Sequence, residues 1–292
     1  MATIAETLIP KIWNANLNNG LFKNYGLLSV ANHNYEADVL NMGDTVYINS
    51  LADVTIGDVG TGGSITAAEA PNIDKTPLVI DKEKYYNVKI TDKEADQMAA
   101  KDINIELAKK GADGINKAMD IDLAGLYIKA KTGYTLTAVK VDKSNIYDVL
   151  VDIATAMTRK DIPKEQRWIA IPPELTGLIL KCDAIMKASE RDRQIYDGAI
   201  ARVGSLYIIE DNYIKGSGTE EDPWKTMAGT PDSLTIAAQA KGEPEALRPT
   251  DAFATHIRGR ALYGVALAKP ATLVVPQLYI TPKATVNTPE QQ

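Results

Sequence analysis

The chain has 292 residues with 45% hydrophobic and 24% charged residues, an ordinary globular composition that excludes a disordered or collagen-like chain. A net charge of −6 argues against a dedicated nucleic-acid grip, which needs clustered Lys and Arg. One cysteine, Cys182, excludes a disulfide framework, and two histidines are a poor supply for acid–base or metal chemistry.

Length predicts about two lobes. No run approaches the ~18 apolar residues of a membrane span. Residues 1–10 carry neither a basic start nor an apolar stretch, so no secretory signal is expected, and a reducing compartment is.

The chain opens with Ile9, Trp13, Leu17 and Leu21 at four-residue spacing, flanked by Ile12 and Phe22. That spacing puts them on one helical face. Asn14, Asn16, Asn18, Asn19 and Gly20 weaken intrinsic helicity, so the stripe needs something to pack against.

Residues 35–90 change character. Thr45–Ile48, Val54–Ile56, Leu78–Ile80 and Tyr85–Ile90 read as strands, and Asn41–Asp44 as a turn into the first. The glycine-rich Gly57–Asn72 stretch reads as a tip. A two-stranded ribbon is marginal alone and should lie on something else.

Thr91-Asp92-Lys93-Glu94 matches a capping box. Apolar residues from Ala95 to Leu126 then predict one helix to about Lys129, roughly 55 Å long, with Gly111 and Gly114 as candidate bends. Residues 144–212 alternate helix and strand. Ser144 caps a helix carrying Ile146, Val149, Leu150, Ile153 and Met157, strand 167–171 ends at Pro172-Pro173, and strand 205–209 follows helix 174–181. Residues 213–233 read as a loop, and strands return at 233–240, 254–268 and 272–280.

Candidate chemistry is sparse. His33 reads as a surface loop residue, His256 as a structural strand residue, and Cys182 as an inert thiol. Gly60–Ser64 lacks the Lys-Ser/Thr of a phosphate loop, and Gly198–Gly204 has the wrong spacing for a dinucleotide fingerprint. Asp120–Gly125 faintly echoes a calcium loop but reads as helix, where residues two apart do not share a face. Glu220-Glu221-Asp222 reads as a solvated turn. No catalytic residue, metal site or cofactor is expected.

The order of parts carries the most specific signal: arm, long ribbon, long helix, α/β lobe, return to sheet. It resembles the major capsid protein of tailed bacteriophages, the Hong Kong 97 fold. The likeness rests on Ile9–Trp13, on Asn34–Glu36 with Asn41–Val46, on Tyr196–Gly198 with Arg202, Gly204, Leu206-Tyr207 and Asn212, and on Arg258-Gly259, Tyr263-Gly264 and Lys269-Pro270.

The resemblance implies an α+β fold of four parts. Residues 1–34 would be an N-terminal arm and 35–90 an extended β-hairpin loop. A peripheral domain with a spine helix would comprise 91–143 and 233–292, and an α/β axial domain 144–232. It implies a non-enzymatic shell protein whose pentamers and hexamers form an icosahedral head around double-stranded DNA. Copies would touch through arm and loop, with Ile9, Trp13, Leu17, Phe22, Tyr47, Ile56, Ile65 and Tyr85 as the contact candidates. A portal protein, scaffold and decoration proteins are the other implied partners, with DNA contacted weakly and no membrane contact. The virion, assembled in the host cytoplasm, is the implied location. Some shells of this fold cross-link through Lys and Asn. Lys75, Lys82 and Lys84 lie near the ribbon, where solvated lysines are the ordinary reading. An encapsulin-like bacterial nanocompartment shell is the alternative on the same fold, and a soluble α/β enzyme the alternative outside it.

Overall fold

Alternating side chains of strands β1 (Thr45–Leu51) and β2 (Ile73–Val79) build an antiparallel ribbon in a computed structural model. The structure describes residues 26–35, 42–51, 56–59, 73–92, 103–130, 133–182, 199–250 and 252–280. The expected arm helix, the glycine-rich tip from Gly60 and the helix start at Lys93–Asp102 lie outside the described residues.

Strand β3 (Lys82–Thr91) follows the ribbon closely and pairs antiparallel with β11 (Ala254–Leu267), which pairs antiparallel with β10 (Leu234–Leu247). The β10–β11 register shifts between Lys241 and Glu245. Pro244 falls inside that shift and has no N–H to give the ladder, so a bulge is the expected accommodation.

Helix α1 (Ile103–Ala124) runs unbroken through Gly111 and Gly114, then tightens into a 3₁₀ turn at Gly125–Lys129. Its 22 residues span about 33 Å. The glycines expected to interrupt the helix do not, and Gly111 serves packing. A Cβ there would stand 2.7 Å from the Tyr86 ring, and so would one on Gly259, the β11 residue paired with Tyr86. Two glycines on separate elements thus make the slot that one aromatic ring fills. Thr91 closes β3, so the expected capping box begins at the strand's last residue.

A four-stranded sheet in the order β6-β7-β5-β9 forms the other part of the molecule, from β5 (Arg167–Ile171), β6 (Ala199–Val203), β7 (Leu206–Glu210) and β9 (Met227–Gly229). β5 is buried along its whole length and runs parallel to β7, which requires a crossover. Helix α3 (Pro173–Leu180) begins that crossover, with Pro173 in its first turn. Helix α2 (Ile146–Arg159) buries the expected stripe of Ile146, Val149, Leu150, Ile153 and Met157. Each such side chain stabilises by about 1.5–3 kcal/mol. Ser144 does not cap α2. The Asp142 carboxylate instead accepts from the Ser144 N–H and hydroxyl and from the Asn145 N–H, drawing the chain into the helix.

Strand β12 (Val275–Tyr279) joins the two parts. It pairs parallel with β4 (Thr135–Lys140) and antiparallel with β8 (Trp224–Lys225), and its neighbour Val274 bridges to Ala228 of β9. The expected loop at 213–233 therefore contains two short strands. Trp224 and Met227 are buried there, and those apolar residues in a polar stretch mark the ordered pieces. One buried cluster extends from Leu27 and Leu28 through α1, Tyr263 and β12 to Trp168 and β7.

Candidate assembly surfaces

The ribbon has an inner and an outer face because successive strand side chains point opposite ways. Ile48, Leu78 and Ile80 face inward and form a second buried cluster with Ala237, Leu262, Ala266 and Ala268. The ribbon root thus rests on the chain's own β10–β11 pair, more firmly than the sequence suggested. Gly43, at φ +89°, donates its N–H to Ile80 O at 2.8 Å, and Ile80 N–H donates to Asp44 O at 3.0 Å, which pins the base. Such a φ suits glycine because it has no Cβ.

The outer face is different. Tyr47 is 59% exposed and lies opposite the exposed Pro77, while Thr45 lies opposite the exposed Val79. Further along, Ile56 is 95% exposed and Val59 is exposed too. On edge strand β3, Tyr85 is 77% exposed, between Glu83, whose carboxylate accepts from Arg260 Nη1 at 3.0 Å, and Asn87. Isolated exposed apolar residues are ordinary, and here Tyr47, Val79 and Tyr85 are exposed on the ribbon and on β3.

Of the residues expected at contacts, Tyr47, Ile56 and Tyr85 are solvent-facing, whereas Ile9, Trp13, Leu17, Phe22 and Ile65 lie outside the described residues. Outside those candidates the most exposed large apolar residues among the described ones are Phe253 at 86% and Ile128 at 76%. Phe253 stands in a polar stretch between β10 and β11, and its carbonyl accepts the Asp92 N–H at 3.1 Å. An aromatic side chain alone among Thr250, Asp251, Ala252 and Ala254 was the available signal.

The remaining candidates have structural partners. Lys82 Nζ stands 2.9 Å from Asp122 Oδ2, and the Tyr263 hydroxyl donates to the same oxygen at 2.7 Å. Burial and that neighbouring carboxylate push the Tyr263 hydroxyl well above the usual phenol range. Lys75 and Lys84 are exposed. Asp120 turns to the other side of α1, where its Oδ1 accepts the Leu28 N–H at 3.0 Å. Asp222 Oδ2 accepts the Ser217 N–H at 2.9 Å, so the acidic turn holds its own loop. His33 Nε2 donates to Leu28 O at 3.0 Å, the His256 Nε2 is buried within β11, and Cys182 is buried. Among the described residues no group of three or more His, Cys, Asp or Glu could hold a metal, and no helix is long and apolar enough to cross a membrane.

The fold has many counterparts among solved structures. One from Mycobacterium phage Che8 is 21% identical with a TM-score of 0.65, covering 85% of this chain and 89% of that one. The capsid of Ralstonia phage GP4 is 12% identical with a TM-score of 0.63, covering 88% and 92%. A virus-like particle from Pyrococcus furiosus is 13% identical with a TM-score of 0.55, covering 91% and 98%. The class is therefore a mixed α+β chain whose fold matches phage capsid structures, as the order of sequence motifs implied in outline. No family model matches the chain, and no curated protein does.

Proposed function

We propose that this chain is the major capsid protein of a tailed phage, assembling as pentamers and hexamers into an icosahedral head around double-stranded DNA. The observation that carries the reading is a capsid-like fold whose ribbon keeps Tyr47 in solvent, with Ile56 beyond it exposed as well, while the ribbon root is buried. A single copy has no cover for those side chains among the described residues, and head-to-tail contacts between copies supply it and close into rings. Obligate contacts of this kind bury thousands of Å² per subunit.

In this reading α1 is the spine helix, the sheet of β10, β11 and β3 belongs to the peripheral domain, and the four-stranded sheet with α2 and α3 is the axial domain. Ile9, Trp13, Leu17, Phe22, Tyr47, Ile56, Ile65 and Tyr85 meet neighbouring copies. The role is structural rather than enzymatic. Portal, scaffold and decoration proteins are its other partners, the virion is its location, and assembly takes place in the host cytoplasm. The negative net charge suits a container whose DNA must be packed and released.

The likeness to the Pyrococcus furiosus particle supports a second reading, an encapsulin-like shell around protein cargo. Electron microscopy of particles purified from the native source tests both. Nuclease-protected double-stranded DNA inside hollow shells supports the phage reading, and a docked cargo protein without DNA supports the second. Monomers under all assembly conditions overturn both.

A further inference from the structure

Two carboxylates that the shell reading leaves without a role meet inside the molecule. Asp120 lies on α1 and is 1% exposed, and Asp211 directly follows β7 and is 2% exposed. Both approach the same short segment, Gly26–Leu28, one from each element, and the charge of Asp211 acts on Asp120. Against them lies the backbone of Gly26–Leu28. The Leu28 N–H donates to Asp120 Oδ1 at 3.0 Å, and a Cβ on Gly26 would stand 2.6 Å from Asp211 Cβ. Asp211 Oδ1 accepts the Tyr213 N–H at 2.7 Å, whereas its Oδ2 is buried and meets no donor. Leu27 and Leu28 themselves are fully buried.

Two ionised carboxylates in contact inside a protein repel and are poorly solvated, so one of them keeps a proton. A proton on the Asp120 oxygen that does not accept from Leu28 gives the pair a donor of its own and leaves Oδ1 free for the Leu28 N–H. Burial first, then the Asp211 charge, pushes the Asp120 carboxyl up to about 8. Burial also raises Asp211.

We infer that Asp120 and Asp211 form a proton-held latch that clamps the chain at Leu27–Leu28 onto α1 and the four-stranded sheet, tight when the pair shares a proton and loosened as pH rises. The cluster offers backbone N–H groups along with its oxygens, which suits a shared proton and disfavours a cation. Among the described residues Lys215 lowers Asp211, Lys117 of α1 stands 5.5 Å from the Tyr213 ring centroid, and His33 Nε2 donates to the Leu28 carbonyl. Asn116, buried on the same helix, is neutral.

The sign follows from linkage. A carboxyl raised from 3.8 to about 8 stabilises the closed latch fully below 3.8. That stabilisation is lost as pH rises toward the folded value and is gone above it. Loss of one shared proton makes opening about tenfold easier per pH unit inside that window.

Amide hydrogen exchange of peptides covering residues 26–35 in the full-length chain, corrected for intrinsic rate, is the test. Between pH 5 and 8 protection should fall by about tenfold per unit in the native chain and stay flat in Asp120→Asn, whose amide reproduces the protonated acid. Asp211→Asn removes the neighbouring charge but not the burial of Asp120, so it should keep the fall and end it at a lower pH, and it guards against misfolding of the first variant. An unchanged profile in both variants, or a flat native profile, overturns the latch. So does protection raised by calcium chloride and removed by EDTA, which would make the pair a cation site. The readout is the chain's own amides, so it succeeds or fails independently of what the shell encloses.

Discussion

The carbonyl oxygen of Val79 lies 2.2 Å from where a Cβ on Gly264 would stand. The ribbon backbone therefore crosses β11 at contact distance, and only a residue without a side chain permits the crossing. Gly264→Ala should lift the ribbon root from its seat of Leu262 and Ala266 and cost about 1–3 kcal/mol, the ordinary range for overpacking. Urea unfolding monitored by circular dichroism measures it, and a change under 0.5 kcal/mol would show that the root is not held there.

The outer face of the ribbon should behave in the opposite way. Ile56→Asp and Tyr85→Ser alter side chains that are 95% and 77% exposed, so the isolated subunit should keep its stability to within about 0.5 kcal/mol. Particle formation, followed by light scattering and electron microscopy, should fail or slow at least tenfold. Normal particles from both variants would remove these residues from the contacts.

Arg167 is a buried cation held by neutral groups. Its Nε donates to Pro163 O at 2.7 Å, its Nη1 to Ala154 O at 3.2 Å and Thr158 Oγ1 at 2.9 Å, and its Nη2 to Ile162 O. Burial lowers the guanidinium from its ordinary value. Arg167→Ala opens a cavity and orphans several carbonyls at once, at a cost of about 3–5 kcal/mol. Thermal unfolding of the variant should show a large drop in Tm, and an unchanged Tm would contradict that role.

Tyr86 makes the converse case. Its ring fills the slot between Gly111 and Gly259, but its hydroxyl is buried and meets no partner. Removing an unsatisfied polar group while keeping the ring should be neutral or stabilising by up to about 1 kcal/mol. Tyr86→Phe tests this by urea unfolding, and a loss of stability would mean that the hydroxyl has a partner in solution. Tyr86→Ala should cost about 3–5 kcal/mol, since the slot would be left empty.

Local pattern was enough wherever a segment's own side chains decide its state. The α2 stripe from Ile146 to Met157, the buried strand before Pro172, the strand at 254–267 and the part of β10 up to Ala240 were legible because their periods are written in consecutive residues. So were the strands of the ribbon and the order of parts that resembles a phage capsid subunit.

Tertiary structure decided what depends on partners distant in the chain. β4 and β8 exist as strands because β12 pairs with both, and no feature of Thr135–Lys140 alone announces a parallel neighbour. Gly111 reads as a helix breaker until Tyr86 occupies the space it leaves. Asp120 reads as an ordinary helical acid until Leu28, 92 residues away in sequence, and Asp211 close around it. Periodicity records which face of an element is apolar. It does not record which distant element covers that face, and burial of charge and close backbone approach arise only from that second choice.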